Sequence, residues 1–368
     1  MSRAKIFLRT FCCAIAVLCV ASAALAQTAV ATLLVLAKSD NSVAIVDPAT
    51  FQVLARVPAG PDPHEIIASD DGKLAFISNY GGSDSTLNTI SVVDLVARKA
   101  LPPIDLGALH SPHGLAFTGG KLYFTAETNK IIGRYDPATQ RVDWVLGTGQ
   151  DRTHMIEVSK SLDRIITSNV NSATISIIEQ VSQPNAGFGP PPGGPGGPPP
   201  GAPPQGPGGP PGPRLTWEVT NVVTGRGVEG FDVSPDGKEI WAANARDATV
   251  TIIDVAAKKA TQTLSIPAKG ANRLKFTPDG KLVLISALGA RADDSSLVVL
   301  DASTHKEVKQ VVLGGGAAGI LIAPDGSRAY VAVSSADKIA IIDLKTLEVT
   351  GQIDAGKQPD GMAWAVRK

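Results

Sequence analysis

Residues Ala317–Gly351 read AAGILIAPDGSRAYVAVSSADKIAIIDLKTLEVTG. The stretch divides into four short strands: Gly319 to Ala323, Ala329 to Val333, Lys338 to Asp343 and Glu348 to Ile353. Turn residues separate them, Pro324-Asp325-Gly326 first and Leu344-Lys345-Thr346 last. β-Branched residues between turn signals predict an up-and-down antiparallel sheet. A sheet this small cannot bury both faces alone, so it must stack against copies of itself.

Two columns count the copies. Each third strand ends in an acidic residue, at Asp47, Asp94, Asp136, Glu179, Asp254, Asp301 and Asp343. A carboxylate there is expected to accept backbone N–H groups and hold the following turn, a structural role rather than a catalytic one. The second column opens each first strand, at His64, His113, His154, Glu229, Asn272, Ala318 and Asp360. Spacings in this column run from 41 to 49 residues, apart from one of 75. That long interval holds a Pro/Gly-rich segment, residues 183–214, which has nothing to bury and is expected to be a disordered or polyproline-like insertion between the third and fourth strands of its blade. Leu33 to Gly60 supplies three strands without a first, and Pro359 to Ala365 a first strand with nothing after it. Joined, they close the ring. The prediction is an all-β, seven-bladed β-propeller spanning residues 27–368, with four-stranded antiparallel blades and a last blade built from both termini.

Residues 1–26 read as a cleavable secretory signal. Arg3, Lys5 and Arg9 precede an apolar run from Phe11 to Val20, and Ala24-Leu25-Ala26 is a small-x-small cleavage site. A periplasmic or secreted protein with no membrane span after cleavage is expected. All three cysteines, Cys12, Cys13 and Cys19, fall in this signal. A mature chain would therefore have no disulfide, no thiolate nucleophile and no cysteine metal ligand. Taking the signal's three basic residues from the total of 34 leaves 31 against 34 acidic ones, a net charge of −3. Nucleic-acid binding normally needs a basic surplus, which this balance lacks.

Pro235-Asp236-Gly237-Lys238, Pro278-Asp279-Gly280-Lys281, Tyr330-Val331-Ala332 and Ile252-Ile253-Asp254 together resemble the YVTN-repeat, or YncE-like, β-propeller family across essentially the whole mature chain. The resemblance implies the propeller fold and an exported protein, and it assigns no activity.

In a propeller the first strand of each repeat is innermost, so the second column rings one mouth of the central channel. Three histidines on consecutive blades, His64, His113 and His154, meet there with Glu229 and Asp360, and Asn272 and Arg273 lie on the same rim. Gly114, Gly230, Gly319 and Gly361 would let the strands crowd toward the axis. Three convergent imidazoles form the ligand set of a metal site, with copper, iron or zinc as candidate ions. The bland reading is a generic polar mouth. His110 is a candidate fourth ligand, whereas His305 is expected on the opposite face in solvent. Two longer loops over the mouth offer Tyr80 and Arg291 for ligand contact.

No Gly-x-Ser-x-Gly elbow or phosphate loop occurs. Lactone hydrolysis is conceivable because cytosolic lactonases share the seven-bladed plan, although export and the missing motif oppose it. The first functional reading is a monomeric, exported binding or scaffold module that takes a small molecule or a protein at the channel mouth. The alternative is a metal-dependent oxidoreductase or hydrolase built on His64, His113 and His154.

Overall fold

A computed structural model describes residues 30–82, 84–183, 214–289 and 295–367. The proposed signal, its three cysteines and most of the Pro/Gly-rich segment lie outside them. The described strands form seven four-stranded antiparallel sheets arranged as a ring. Blade 1 takes its innermost strand, Pro359–Arg367, from the C-terminal end and its other three, beginning with Val30–Ala37, from the N-terminal end. Blades 2 to 7 follow in chain order, with innermost strands Pro63–Ala68, Pro112–Thr118, Thr153–Val158, Val228–Val233, Ala271–Phe276 and Ala317–Ile322.

Each blade is too thin to hold a core of its own, so the apolar side chains gather between blades. Seven buried clusters result, one at each junction. Trp241, Ile252, Leu274 and Ile285 join blades 5 and 6, and Leu33, Val35, Tyr330 and Ile341 join blades 7 and 1. Seven filled junctions leave no open seam. This is how sheets with two apolar faces are covered without helices.

Six members of the acidic column hold turns as expected. Asp301 Oδ1, for example, accepts from the amides of Ser303 and Thr304 at 3.0 and 2.7 Å. Asp47, Asp94, Asp136, Asp254 and Asp343 make equivalent bonds. Glu179 differs, pairing with Lys258 Nζ at 2.8 Å. In blade 4 the third strand runs on to Gln183 and the fourth begins at Arg214, and these two residues pair with each other. The Pro/Gly-rich segment is therefore connected at the end of an extended two-stranded ladder.

Two backbone devices shape the channel mouth. Pairing between the first and second strands is interrupted at the same place in every blade, across the mouth-column residue and its successor. A bulge re-aims a side chain, and repeated seven times it turns this column toward the axis. The second device is a buried hydroxyl at the same level of the second strand, which ties a blade to the next. Thr125 Oγ1 accepts from the Gly114 amide at 2.9 Å and donates to the His154 carbonyl at 2.7 Å. Ser168 links the Met155 amide to the Glu229 carbonyl, and Ser286 links the Arg273 amide to the Ala318 carbonyl. Ladder groups freed by the bulge are thus satisfied across the blade junction.

Candidate functional site at the channel mouth

The residue just after each second strand joins the rim. Its amide donates to the carbonyl two residues before the mouth column, as in Tyr80 to Asp62, Glu127 to Ser111 and Lys38 to Gln358. The same bond recurs in all seven blades. It brings Lys38, Tyr80 and Glu127 beside His64, His113, His154 and Asp360.

Three ion-pair groups follow. Arg273 Nη2 meets Glu65 Oε1 at 2.6 Å and Nη1 donates to Asn272 Oδ1 at 3.3 Å. Lys38 Nζ lies 3.5 Å from Asp360 Oδ2 and 3.6 Å from Asp62 Oδ1. Arg152 spans Glu127 at 3.4 Å and Glu229 at 3.3 Å. A cavity of about 340 Å³ opens between Lys38, His64, Arg152, Glu229, Arg273 and Asp360.

His113, Tyr80 and Glu127 do not line this cavity and are almost fully buried. Tyr80 donates to Glu127 Oε2 at 2.6 Å, while Glu127 Oε1 contacts His154 Nδ1. The far nitrogen of His154 lies 2.8 Å from Glu229 Oε2, too far off the hydrogen-bond direction for a proper bond. His113 sits between three rings, 3.6 Å from His154, 4.8 Å from His64 and 4.7 Å from Tyr80 by centroid. Neither of its nitrogens has a hydrogen-bond partner, which is costly for a buried polar group.

Electrostatics separate the three imidazoles. Burial, then the Lys38 charge, pushes His64 down to about 3. Burial together with the neighbouring histidines holds His113 well below its ordinary value. His154 moves the other way: burial opposes its charge, but the Glu229 and Glu127 carboxylates outweigh it. For Glu229, burial opposes ionisation, yet His154 and Arg152 hold it far below the usual carboxylate range. Burial raises Asp360 and, with the Glu127 charge, raises Tyr80.

Donor atoms of His113, Glu127 and His154 all lie within 4.8 Å of one another, so this cluster could hold a metal ion. It shares two residues with the set expected from sequence. Glu127 was not anticipated, and His64 lies beside the cluster, 3.6 Å from Asp360. Tyr80 is not an exposed loop residue but a buried one, packed on His113 and bonded to Glu127. His110 is held away from the cluster, its Nδ1 bonded to the Thr86 carbonyl at 3.0 Å. His305 is half-buried and packs its edge against Trp241 at 5.2 Å, where solvent was expected. Arg291 lies outside the described residues. Among those residues no helix is long and apolar enough to cross a membrane.

No family model and no curated protein matches the chain. Solved structures do. Hydrazine synthase from Kuenenia stuttgartiensis shares 17% identity over 82% of this chain and 89% of its own, with a TM-score of 0.63. A functionally unknown protein from Desulfotomaculum acetoxidans DSM 771 shares 11% over 92% and 99%, with a TM-score of 0.68. A putative 6-phosphogluconolactonase from Bacteroides uniformis ATCC 8492 shares 15% over 91% and 99%, with a TM-score of 0.66. Likeness at these identities is one of fold, and fold does not carry activity.

Proposed function

We propose that the chain is an exported binding module of the YVTN-repeat kind whose ligand site is the channel mouth. One observation carries this reading: a cavity of about 340 Å³ sits on the ring axis and is walled by charged side chains from four of the seven blades, Lys38 and Asp360, Arg152, Glu229, and Arg273. Polar groups converging on a concave, pre-formed site are the usual mark of small-ligand recognition. Native mass spectrometry of protein recovered from an exporting host tests the reading. A co-purifying small molecule that is lost in the Arg273→Ala/Asp360→Ala variant is expected. A mass equal to the bare chain, with no thermal shift across a panel of small polar metabolites, overturns it.

A second reading is favoured by the two unpartnered nitrogens of His113. In it the ligand is a metal ion, and copper, iron and zinc are the ions that imidazole donors select. An ion with an open position would add redox or hydrolytic chemistry to the mouth. Elemental analysis of the untagged protein should find close to one such ion per chain. No ion, even after loading, overturns this reading.

A further inference from the structure

We infer that the ion of the second reading is a divalent cation held by His113, Glu127 and His154, and that Arg152 occupies its charge position until it binds. The inference rests on that reading and specifies the ligand set. Two imidazoles and one glutamate are a donor set used by catalytic zinc sites, with a further position left for water or substrate. All three donors lie within 4.8 Å of one another; Glu127 Oε1 and His154 Nδ1, now in contact, would separate to the roughly 3–3.5 Å that an ion with bonds of about 2 Å requires.

Two features suit the cluster to this task. First, each ligand that has a partner also has a polar neighbour at its other atom. Tyr80 holds Glu127 Oε2 at 2.6 Å, and Glu229 lies 2.8 Å from His154 Nε2. A carboxylate beside the outer nitrogen of a ligating histidine is the usual support for such a ligand. This leaves Glu127 Oε1 and His154 Nδ1, now in contact with each other, to receive the ion between them. Second, His113 is buried and without a hydrogen-bond partner. Its lone pair is the one strong donor in the cluster that nothing else uses.

The charge balance selects a cation. The ion pairs at the mouth unite five carboxylates, Asp62, Glu65, Glu127, Glu229 and Asp360, with three cations, Lys38, Arg152 and Arg273. Leaving the histidines aside, these groups sum to −2, so the mouth as a whole is acidic and favours a cation. Of the three cations, Arg152 bridges Glu127 and Glu229, the two carboxylates that flank His154. A guanidinium and a metal ion cannot both sit against Glu127 at close range without repulsion. Binding therefore moves the Arg152 head out toward the cavity that it already lines. There it would meet an anionic group on any substrate that reaches the ion.

Zinc titration by calorimetry on the folded, mature chain tests this, with circular dichroism as the control for folding. One zinc per chain is expected. Glu127→Gln and His113→Ala should each lose more than the roughly 10–100-fold that removal of an outer hydrogen-bond partner costs. His64→Ala should leave affinity nearly unchanged. Arg152→Gln should bind zinc about tenfold more tightly, because a competing charge is gone, and Arg152→Lys should not. Absence of binding in parallel titrations with zinc, copper and iron overturns the metal reading itself. Zinc that is lost in His64→Ala but kept in Glu127→Gln overturns the ligand set while leaving the metal reading standing. Weaker binding in a folded Arg152→Gln protein overturns the charge exchange.

Discussion

His113 lies nearly face to face with His154, ring centroids 3.6 Å apart and planes 29° from parallel, yet the two rings have opposite surroundings. Carboxylates stand at both nitrogens of His154, whereas neither nitrogen of His113 has a hydrogen-bond partner. The asymmetry arises from the next-blade geometry. His154 receives Glu229 from blade 5 and Glu127 from blade 3, while His113 receives only rings.

A buried imidazole without partners should cost stability in the metal-free protein. Replacing it with an apolar side chain of similar size removes that cost, so His113→Leu is expected to stabilise the metal-free chain by about 1 kcal/mol. Urea unfolding in the presence of chelator measures the change. Destabilisation by a similar amount would mean that the ring has a polar partner after all. With zinc present the order should reverse, because only the wild-type chain gains stability from binding.

Much of this site could be read along the chain, and the boundary of what could not is physical. The mouth column is visible because its members open strands at a regular spacing, which places His64, His113 and His154 on one rim. Glu127 and Tyr80 were harder. Tyr80 reads as a loop residue, and Glu127 looks like one more charge in a turn. Their burial depends on the amide bond from each strand-two exit to the neighbouring strand entry, and on ring curvature that carries Glu127 across to His154. A signal was present: the residue after each second strand forms its own column, Lys38, Tyr80, Glu127, Val170, Ala245, Leu288 and Ser334. Only side-chain packing decides which members of that column reach the axis.

Gly114 is required by close approach rather than by an unusual backbone angle. A β-carbon there would lie 2.4 Å from the His154 carbonyl oxygen, with backbone atoms of Met155 and Ile156 at 2.9 Å. None of these can yield without moving the blade 4 strand. Gly114→Ala is therefore expected to destabilise the ring by roughly 1–3 kcal/mol, the range for overpacking. It should also disturb the contact between His113 and His154. Denaturant midpoints give the first effect, and imidazole resonances in NMR spectra give the second. A variant of wild-type stability would show that the blade junction is looser than described.

Thr125 tests the hydroxyl bridge between blades. Its hydroxyl accepts from Gly114 and donates to the His154 carbonyl, both within the buried junction. Valine keeps the shape but leaves a buried amide and a buried carbonyl unpaired. Thr125→Val should cost about 2 kcal/mol, and Thr125→Ser should cost less because the bridge survives. Equal losses in both variants would assign the effect to packing of the methyl group instead.

The turn carboxylates should make the propeller acid-labile in a defined window. Hydrogen bonds from Ser303 and Thr304 lower Asp301 to about 2, against an ordinary value near 3.9 in an unfolded chain. The folded value is the lower one, so the ionised turn stabilises the protein fully above the unfolded value, and that contribution is lost as pH falls through the folded one. Asp301→Ala removes the contribution at every pH. Its melting temperature should therefore lie below wild type at pH 7, and the gap should close between about pH 4 and pH 2. Thermal melts of both proteins across that range are the measurement. A gap that stays constant to pH 2 would mean that the Asp301 charge does not hold the turn.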